Sequence, residues 1–225
     1  TPYQPEASQG TLQSIFEYQS LISELTALPV SNASHYDGGT SLAEAGFAAL
    51  RHTGRRKLIT ARSVHPHFRQ VLRTYLEAAD LILNEFGFEG DASFDRKEFE
   101  EVLTDEIGGV VIQTPNFLGM VEDLEGIAEQ VHAKGALLIL VSNPLALGVL
   151  RPPGEWGADL AVGEGQALGI TESFGGPYLG YFAATRNLMR RIPGRLAGMT
   201  MDREGKRAFV LTLQAREQHI RRERA

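Results

Sequence analysis

Apolar residues recur every three or four positions in several stretches of the chain, and this spacing predicts amphipathic helices. The clearest stretch covers residues 68–79, where apolar side chains take positions i, i+3, i+4, i+7, i+8 and i+11. Pro66 precedes it, at a position where a first-turn proline is tolerated. Asp95 and Glu98 have the spacing of a capping box and predict another helix start. The predicted helices cover residues 12–25, 42–50, 68–79, 97–103 and 121–131.

Short apolar runs without helical spacing separate these helices. Continuous apolar strands covered by helices on both faces are typical of a largely parallel sheet, so the alternation predicts an α/β, doubly wound fold. Residues 178–183 predict one more strand after a glycine-rich segment, and residues 209–213 lead into a predicted terminal helix. The predicted inner strands are residues 58–60, 81–83, 110–112, 137–141 and 160–162.

Length and charge narrow the class of protein. A chain of 225 residues is expected to form one domain. With a net charge of -6, the chain lacks the excess of basic residues that nucleic-acid binding requires, so nucleic acid is not an expected partner. The longest aliphatic run, residues 136–141, is too short to span a membrane. Because the chain has no cysteine, it has neither disulfides nor thiolate metal sites, and a cytoplasmic location is expected.

Polar and turn-forming residues follow three of the predicted strands. Residues 113–123, which include Asn116, follow the strand at 110–112, residues 142–144 follow the next strand, and residues 163–166 follow the one after it. Ligands of open α/β sheets bind beyond the carboxyl ends of the strands. Each segment alone could be an ordinary turn, but together they favour a shared crevice.

Glycines and hydroxyl groups precede the predicted helix at residues 42–50. Ser34, Asp37 and Thr40 lie in this segment, and glycines at a helix start can present backbone N–H groups to a phosphate. The alternative is that Asp37 or Thr40 only caps the helix.

The histidines give weaker indications. His65 and His67 have a spacing that could contribute to a metal site, but no Cys/His cluster completes it, so a role at a helix start is favoured and no metal is predicted. His35 next to Asp37 could take part in acid/base chemistry, yet one adjacent carboxylate is poor evidence. The terminal Arg216, Arg221, Arg222 and Arg224 predict a solvated or partner-facing helix surface.

Three strings identify a family resemblance. Residues 1–10 (TPYQPEASQG), 31–40 (SNASHYDGGT) and 211–222 (LTLQAREQHIRR) resemble the N-terminal, or alpha, subunit of the glycine dehydrogenase family, the pyridoxal-phosphate P-protein of the glycine cleavage system. The resemblance covers essentially the whole chain, and because family members continue beyond both ends, the chain is expected to be a fragment. It implies a three-layer α/β/α large domain of fold-type I pyridoxal-phosphate enzymes with a mostly parallel, mixed sheet.

The lysines test whether this half could hold the cofactor, because only a lysine can form the Schiff base. Lys57, Lys97, Lys134 and Lys206 are each predicted to be solvated surface residues. In fold-type I enzymes the lysine follows the strand after the aspartate that binds the pyridine nitrogen. The matching residues 162–169 contain no lysine, and Asn143 stands where the aspartate is expected. Both departures indicate that this half has no complete cofactor site.

The resemblance therefore implies an enzyme completed by a beta subunit that holds pyridoxal phosphate. That enzyme would decarboxylate glycine and pass the aminomethyl group to the lipoyl arm of H-protein. Tyr3, Ser34, Asp37, Thr40 and Asn116 are the candidate active-site or interface residues, with Tyr3 offering a hydroxyl group or an aromatic face. The alternatives are a noncatalytic scaffold or regulatory domain and an independent enzyme with an unconventional lysine. Residues 163–180 are predicted to form a surface loop in preference to a channel for the lipoyl arm.

Overall fold

A computed structural model describes residues 4–213, so the Tyr3 prediction and the predicted terminal helix with its arginines lie outside the described residues. Helices and strands alternate through the first two thirds of this range. The helices are α1 (Gln9–Thr26), α2 (Gly38–Thr53), α3 (Pro66–Ala78), α4 (Arg96–Val102) and α5 (Ile127–Ala133). The strands are β1 (Val30–Ser31), β2 (Lys57–Ala61), β3 (Ile82–Phe86), β4 (Ile107–Gln113), β5 (Leu137–Val141), β6 (Leu160–Glu164), β7 (Gly180–Ala184), β8 (Leu196–Met201) and β9 (Arg207–Thr212).

Seven strands form one mixed sheet in the order β1-β7-β6-β5-β4-β2-β3. The five strands from β6 to β3 are parallel, whereas β7 runs antiparallel to both β6 and β1. The inner strands β4 and β5 are buried almost throughout, as continuous apolar strands between two helical layers should be. The predicted α/β architecture with a mostly parallel, mixed sheet is confirmed.

Strand β7 shows the two faces of the sheet directly. Tyr181 and Ala183 pack with Ile22 of α1, while the alternate residues Phe182 and Ala184 belong to the main core that α2 shares. This alternation follows from the two-residue repeat of a strand. Helices thus cover both faces and make three layers.

Strands β8 and β9 form a separate two-stranded antiparallel sheet. It packs on the first half of α1, where Leu12, Ala197 and Phe209 are buried together. Gln19 fixes the arrangement, because its side-chain amide exchanges two hydrogen bonds of 2.9 Å with the backbone of Ala197. The strands β1, β8 and β9 were not predicted from the sequence. Residues 209–213, which were expected to lead into the terminal helix, lie mostly in β9.

Two predicted boundaries are wrong. The run at residues 81–83 gives a strand that begins at Ile82 and continues to Phe86, because Leu81 closes the turn after α3 through its N–H to the carbonyl of Leu76. The helix predicted over residues 121–131 begins only at Ile127, after Gly126 in a left-handed conformation with φ 76°. Its apolar Val121 and Leu124 belong to a loop instead.

The capping signals predicted for α3 and α4 are confirmed, whereas α1 and α2 begin at Gln9 and Gly38, before the predicted residues 12 and 42. The Asp95 carboxylate accepts a hydrogen bond of 2.9 Å from the N–H of Glu98, and Pro66 opens α3. His65 is the N-cap of α3, and its ring nitrogen accepts from the N–H of His67 at 3.2 Å. Among residues 4–213, no helix combines the length and apolar character that crossing a membrane demands.

The start of β7 has no space for a side chain. A Cβ on Gly180 would lie 2.1 Å from Ser41 Oγ and 2.2 Å from the carbonyl oxygen of Asp37. We therefore expect Gly180→Ala to lower the free energy of unfolding by about 1–3 kcal/mol, measured by urea denaturation. Gly10→Ala is the control, since nothing lies within 4 Å of its Cβ position on α1 and a stability unchanged or raised by up to about 1 kcal/mol is expected. Equal losses in the two variants would contradict this account of Gly180.

Candidate functional site

The candidate site lies at the carboxyl edge of the parallel strands. Strands β2, β4, β5 and β6 all end at this edge, and β1 ends there as well because two antiparallel pairings make it parallel to β6. The loops that leave these strands bring polar side chains and helix starts together, as is usual for open α/β sheets. Three groups of residues occupy the edge.

The first group surrounds the start of α2. Asp37 and Thr40 form a reciprocal capping box, in which Asp37 Oδ1 accepts from the N–H of Thr40 at 2.7 Å and Thr40 Oγ1 accepts from the N–H of Asp37 at 3.3 Å. Their position at a helix start is as predicted, and the contacts described for both side chains are capping contacts. An active-site or interface role for Asp37 and Thr40 stays a prediction.

A carboxylate from the end of β6 also binds the start of α2. Glu164 Oε2 accepts from the N–H of Gly38 at 3.0 Å, and its Oε1 accepts from the N–H groups of Gln166 and Leu179, each at 2.9 Å. An anion is favoured here because the first N–H groups of a helix have no partner within the helix and point outward. Glu164 supplies that anion from 126 residues away.

The second group is a set of three rings above the ends of β2 and β4. The His65 ring lies 4.9 Å from the Phe68 ring and 4.8 Å from the Phe117 ring, measured between centroids. Gln113 at the end of β4 accepts from the N–H of His65 at 2.8 Å and so holds the histidine at this edge. Burial, followed by the nearby His67, lowers the pKa of His65, so its ring is neutral near pH 7.

The third group is a buried polar network around Asn116. Its side-chain Nδ2 donates to Glu122 Oε1 and to the carbonyl of Ala92, both at 2.7 Å, and its Oδ1 accepts from the N–H groups of Leu118 and Met120. With 5% of its surface exposed, Asn116 joins two loops. These contacts are internal, and an active-site or interface role for Asn116 stays a prediction.

Glu122 is the buried acid of this third group. Its carboxylate, in a residue 2% exposed, accepts from Asn116, from the N–H of Phe94 at 3.2 Å and from the Ser63 hydroxyl at 3.4 Å. Burial raises the pKa of Glu122 above its ordinary value, and the hydrogen bonds oppose that rise. The network therefore fixes the loop after β4 at the cost of burying a carboxyl group.

The remaining candidate, Ser34, lies in the turn between β1 and α2. Its backbone has φ 121°, and its N–H donates to Asn32 Oδ1 at 3.2 Å. Asn32 is fully buried and also contacts His35 Nε2 at 2.7 Å. Burial lowers the pKa of His35 although Asp37 opposes this, and the ring stacks on Phe182. A functional role for Ser34 stays a prediction.

The structure brings Asp37 and Thr40 together with Glu164, but it separates them from Asn116, which lies on the β2 side of the edge. Glu164 and Glu122 are the two residues that most shape the site and that were not singled out from the sequence. Both stand in the polar segments after strands, and only that placement could have drawn attention to them.

The lysines do not converge on this crevice. Lys57 begins β2 and Lys134 precedes β5, so both lie at the opposite, amino edge, where they pair with Glu106 and Asp105. Lys206 lies between β8 and β9 and pairs with Glu204. Lys97 follows β3, which stands four strands from β6, about 19 Å at the usual strand spacing.

These residues do not fit pyridoxal phosphate. The helix start that would receive the phosphate already receives Glu164 Oε2, no lysine reaches the ends of β5 and β6, and the exposed Asn143 caps its own turn by accepting from the N–H of Leu145. Within residues 4–213, no cluster of three or more His, Asp or Glu side chains could hold a metal ion.

Solved structures show that this architecture is the fold of fold-type I pyridoxal-phosphate enzymes. An alanine–glyoxylate aminotransferase from Nostoc matches 80% of the chain and 47% of its own length with a TM-score of 0.61, and a sphingosine-1-phosphate lyase from Burkholderia pseudomallei matches 89% and 50% with a TM-score of 0.64. Their identities of 19% and 12% establish the fold alone.

The chain belongs to the glycine cleavage system P-protein family, whose sequence model matches residues 1–225. It is 55% identical over 225 residues to a probable glycine dehydrogenase (decarboxylating) subunit 1 of Brevibacillus brevis and 53% identical to that of Geobacillus kaustophilus. A glycine decarboxylase (P-protein) solved in inhibitor-bound form is 52% identical, with a TM-score of 0.91 over the whole chain. The chain spans 50% of the length of each of these three proteins.

The Glu122 network gives a prediction with a defined pH dependence. All the groups that contact the Glu122 carboxylate are donors, so the amide nitrogen of Glu122→Gln must face one of them and leave it unpaired. We expect the variant to lower the free energy of unfolding at neutral pH by about 1–3 kcal/mol. Urea denaturation at several pH values measures this loss.

The sign of its pH dependence follows from the raised pKa. The native state keeps a proton on Glu122 above 4.5, its ordinary pKa, so the contribution of Glu122 to stability is full below that value and falls as pH rises through the folded-state pKa. Glutamine does not titrate, so the deficit of the variant should be larger at acidic pH than at neutral pH. A deficit that grows with pH would contradict the assignment.

Proposed function

We propose that this chain is part of the alpha half of a glycine dehydrogenase (aminomethyl-transferring), and that a beta subunit holds the pyridoxal phosphate. The observation that supports it best is the combination of a whole-chain match to the family with a cofactor position filled by Glu164 and without a nearby lysine. A subunit that has the fold of the family but lacks a lysine near the cofactor position fits an enzyme whose active site is completed by a second subunit.

In the assembled enzyme, pyridoxal phosphate held by the beta subunit would supply the electron withdrawal that decarboxylation of glycine requires. The reaction would release carbon dioxide and transfer the aminomethyl group to one sulfur of the lipoyl disulfide of H-protein, so that the S–S bond breaks and the other sulfur becomes a thiol. The alpha half contributes scaffold and interface, and Tyr3 is its proposed contact with the partner's active site. We place the enzyme in the cytoplasm.

Exposed apolar side chains support the carboxyl edge as the face toward the partner. Tyr36 follows β1, Phe117 follows β4, Val149 follows β5, and Phe174 and Tyr178 lie between β6 and β7. Each of these side chains lies in a segment that leaves a strand at this edge, and Tyr36 and Val149 are each 88% exposed. Apolar side chains gathered on one surface of a soluble domain mark an interaction site.

Visible absorbance of the full-length protein with pyridoxal phosphate tests the location of the cofactor. We expect no band from a protein-bound cofactor for this subunit alone and a clear band after co-expression with the beta subunit. Borohydride reduction followed by peptide mapping should then locate the modified lysine on the partner. A site-specific, reducible adduct on one of the four lysines of this chain would overturn the proposal and favour an independent enzyme.

Substitution at the carboxyl edge tests the interface. Val149→Glu puts a charge at a largely solvated position, so it should leave the melting temperature unchanged while weakening association with the beta subunit at least about tenfold, measured by isothermal titration calorimetry. The control is Tyr75→Glu on α3, away from this edge, which should leave association unchanged.

The interface variant and Tyr3→Phe together separate the two candidate roles. Association unaffected by Val149→Glu would contradict the proposed face. Lower turnover of the Tyr3→Phe enzyme with intact assembly would favour a half that helps to shape the active site. A change in assembly alone would favour the noncatalytic scaffold.

A further inference from the structure

The start of α2 is an anion-binding position occupied from within the chain. α2 has 16 residues, and its N-cap Asp37 carboxylate accepts from the N–H of Thr40, but no acidic side chain of its first turn places a charge over the outward N–H of Gly38. Glu164 provides that charge through the 3.0 Å hydrogen bond from Gly38 to its Oε2. The pairing matches the preference of helix N-termini for anions.

The same carboxylate joins both ends of the glycine-rich loop at residues 165–179. Its Oε1 accepts from Gln166 at the beginning of the loop and from Leu179 at the end, and the N–H of Gly165 donates to the carbonyl of Leu179 at 2.6 Å. One side chain thus connects three separate segments: the start of α2, the exit of β6 and the entry to β7. Each hydrogen bond is made to a charged acceptor, the stronger kind.

The space around this contact is filled. A Cβ built on Gly38 would lie 2.5 Å from Cζ of Phe68 and 2.8 Å from the backbone nitrogen of Glu164. The Phe68 ring comes from the start of α3 and belongs to the group of three rings already described. A phosphate at the start of α2 would have to displace both the carboxylate and the ring.

We propose that Glu164 is a built-in anion that takes the place of a cofactor phosphate, holding α2 and the loop at residues 165–179 in position without any ligand. The inference uses the family's fold, but it does not depend on which partner completes the enzyme. It assigns a positioning role to Glu164, which acts through the backbone of α2 and of the loop.

The test compares the full-length protein, without partner or cofactor, with its Glu164→Ala and Glu164→Gln variants. We expect Glu164→Ala to lower the melting temperature by about 5–10 °C and to speed hydrogen exchange at least about tenfold in peptides containing Gly38, Gln166 and Leu179. Inorganic phosphate or formate should restore part of that loss relative to chloride at equal ionic strength, because the freed N–H groups can bind an anion. The unsubstituted protein should not respond.

Glu172→Ala is the matched control. It removes the same charge from an exposed position in the same loop, and neither stability nor exchange should change. Glu164→Gln keeps the size of the side chain but turns an amide donor toward one of the three N–H groups, so an intermediate loss is expected. This variant also decides the question if Glu164→Ala does not fold.

Three outcomes would overturn the inference. One is unchanged exchange at the three amides in Glu164→Ala. Another is that phosphate stabilises the unsubstituted protein as much as it stabilises the variant, which would mean that the anion-binding position at the start of α2 is open. The third is a Glu164→Gln protein as stable as the original. None of these readouts involves the cofactor band, so failure here is distinguishable from failure of the proposed function.

Discussion

The contact between the Glu164 carboxylate and the start of α2 organises the functional edge of this protein. α2 packs against β4, β5, β6 and β7, so the placement of its first turn fixes the crevice above the sheet. The first N–H groups of a helix have no partner within the helix. Asp37 accepts from Thr40, and Glu164 at the end of β6 accepts from Gly38 of α2 and, with its other oxygen, from Gln166 and Leu179 of the loop. Glu164 thereby holds α2 and the loop after β6 against the sheet without a bound ligand.

The fold could be predicted from the sequence wherever the physical cause is local. Strand β5 is apolar at every position because helices cover both of its faces, and this leaves a signal that no amphipathic helix imitates. The start of α3 also has a local cause, because Pro66 suits the first turn of a helix. The error at residues 121–126 has another cause, since the apolar Val121 and Leu124 continue the helical spacing while the polar network around Glu122 holds them in a loop.

The site was less predictable because its contacts join distant parts of the chain. The capping box of Asp37 and Thr40 spans three residues and could be expected from the sequence as one of two alternatives. The partner of Glu164 on α2 is 126 residues away, and Phe94, which donates to Glu122, is 28 residues away. No local pattern distinguishes either acid from an ordinary turn residue. Asn116 illustrates the same limit, because its polar side chain is buried in the network between loops.

The two acids support the proposal that this chain acts as a scaffold with an interface. Glu122 accepts from an amide, a hydroxyl and one N–H of the chain, so its carboxyl group is used to fix a loop. Glu164 uses its charge on α2 and the loop that follows β6. Both acids are committed to the chain itself, and the segments that leave the strands at the carboxyl edge expose several apolar side chains. Exposed apolar side chains are consistent with the proposed interface to a second subunit.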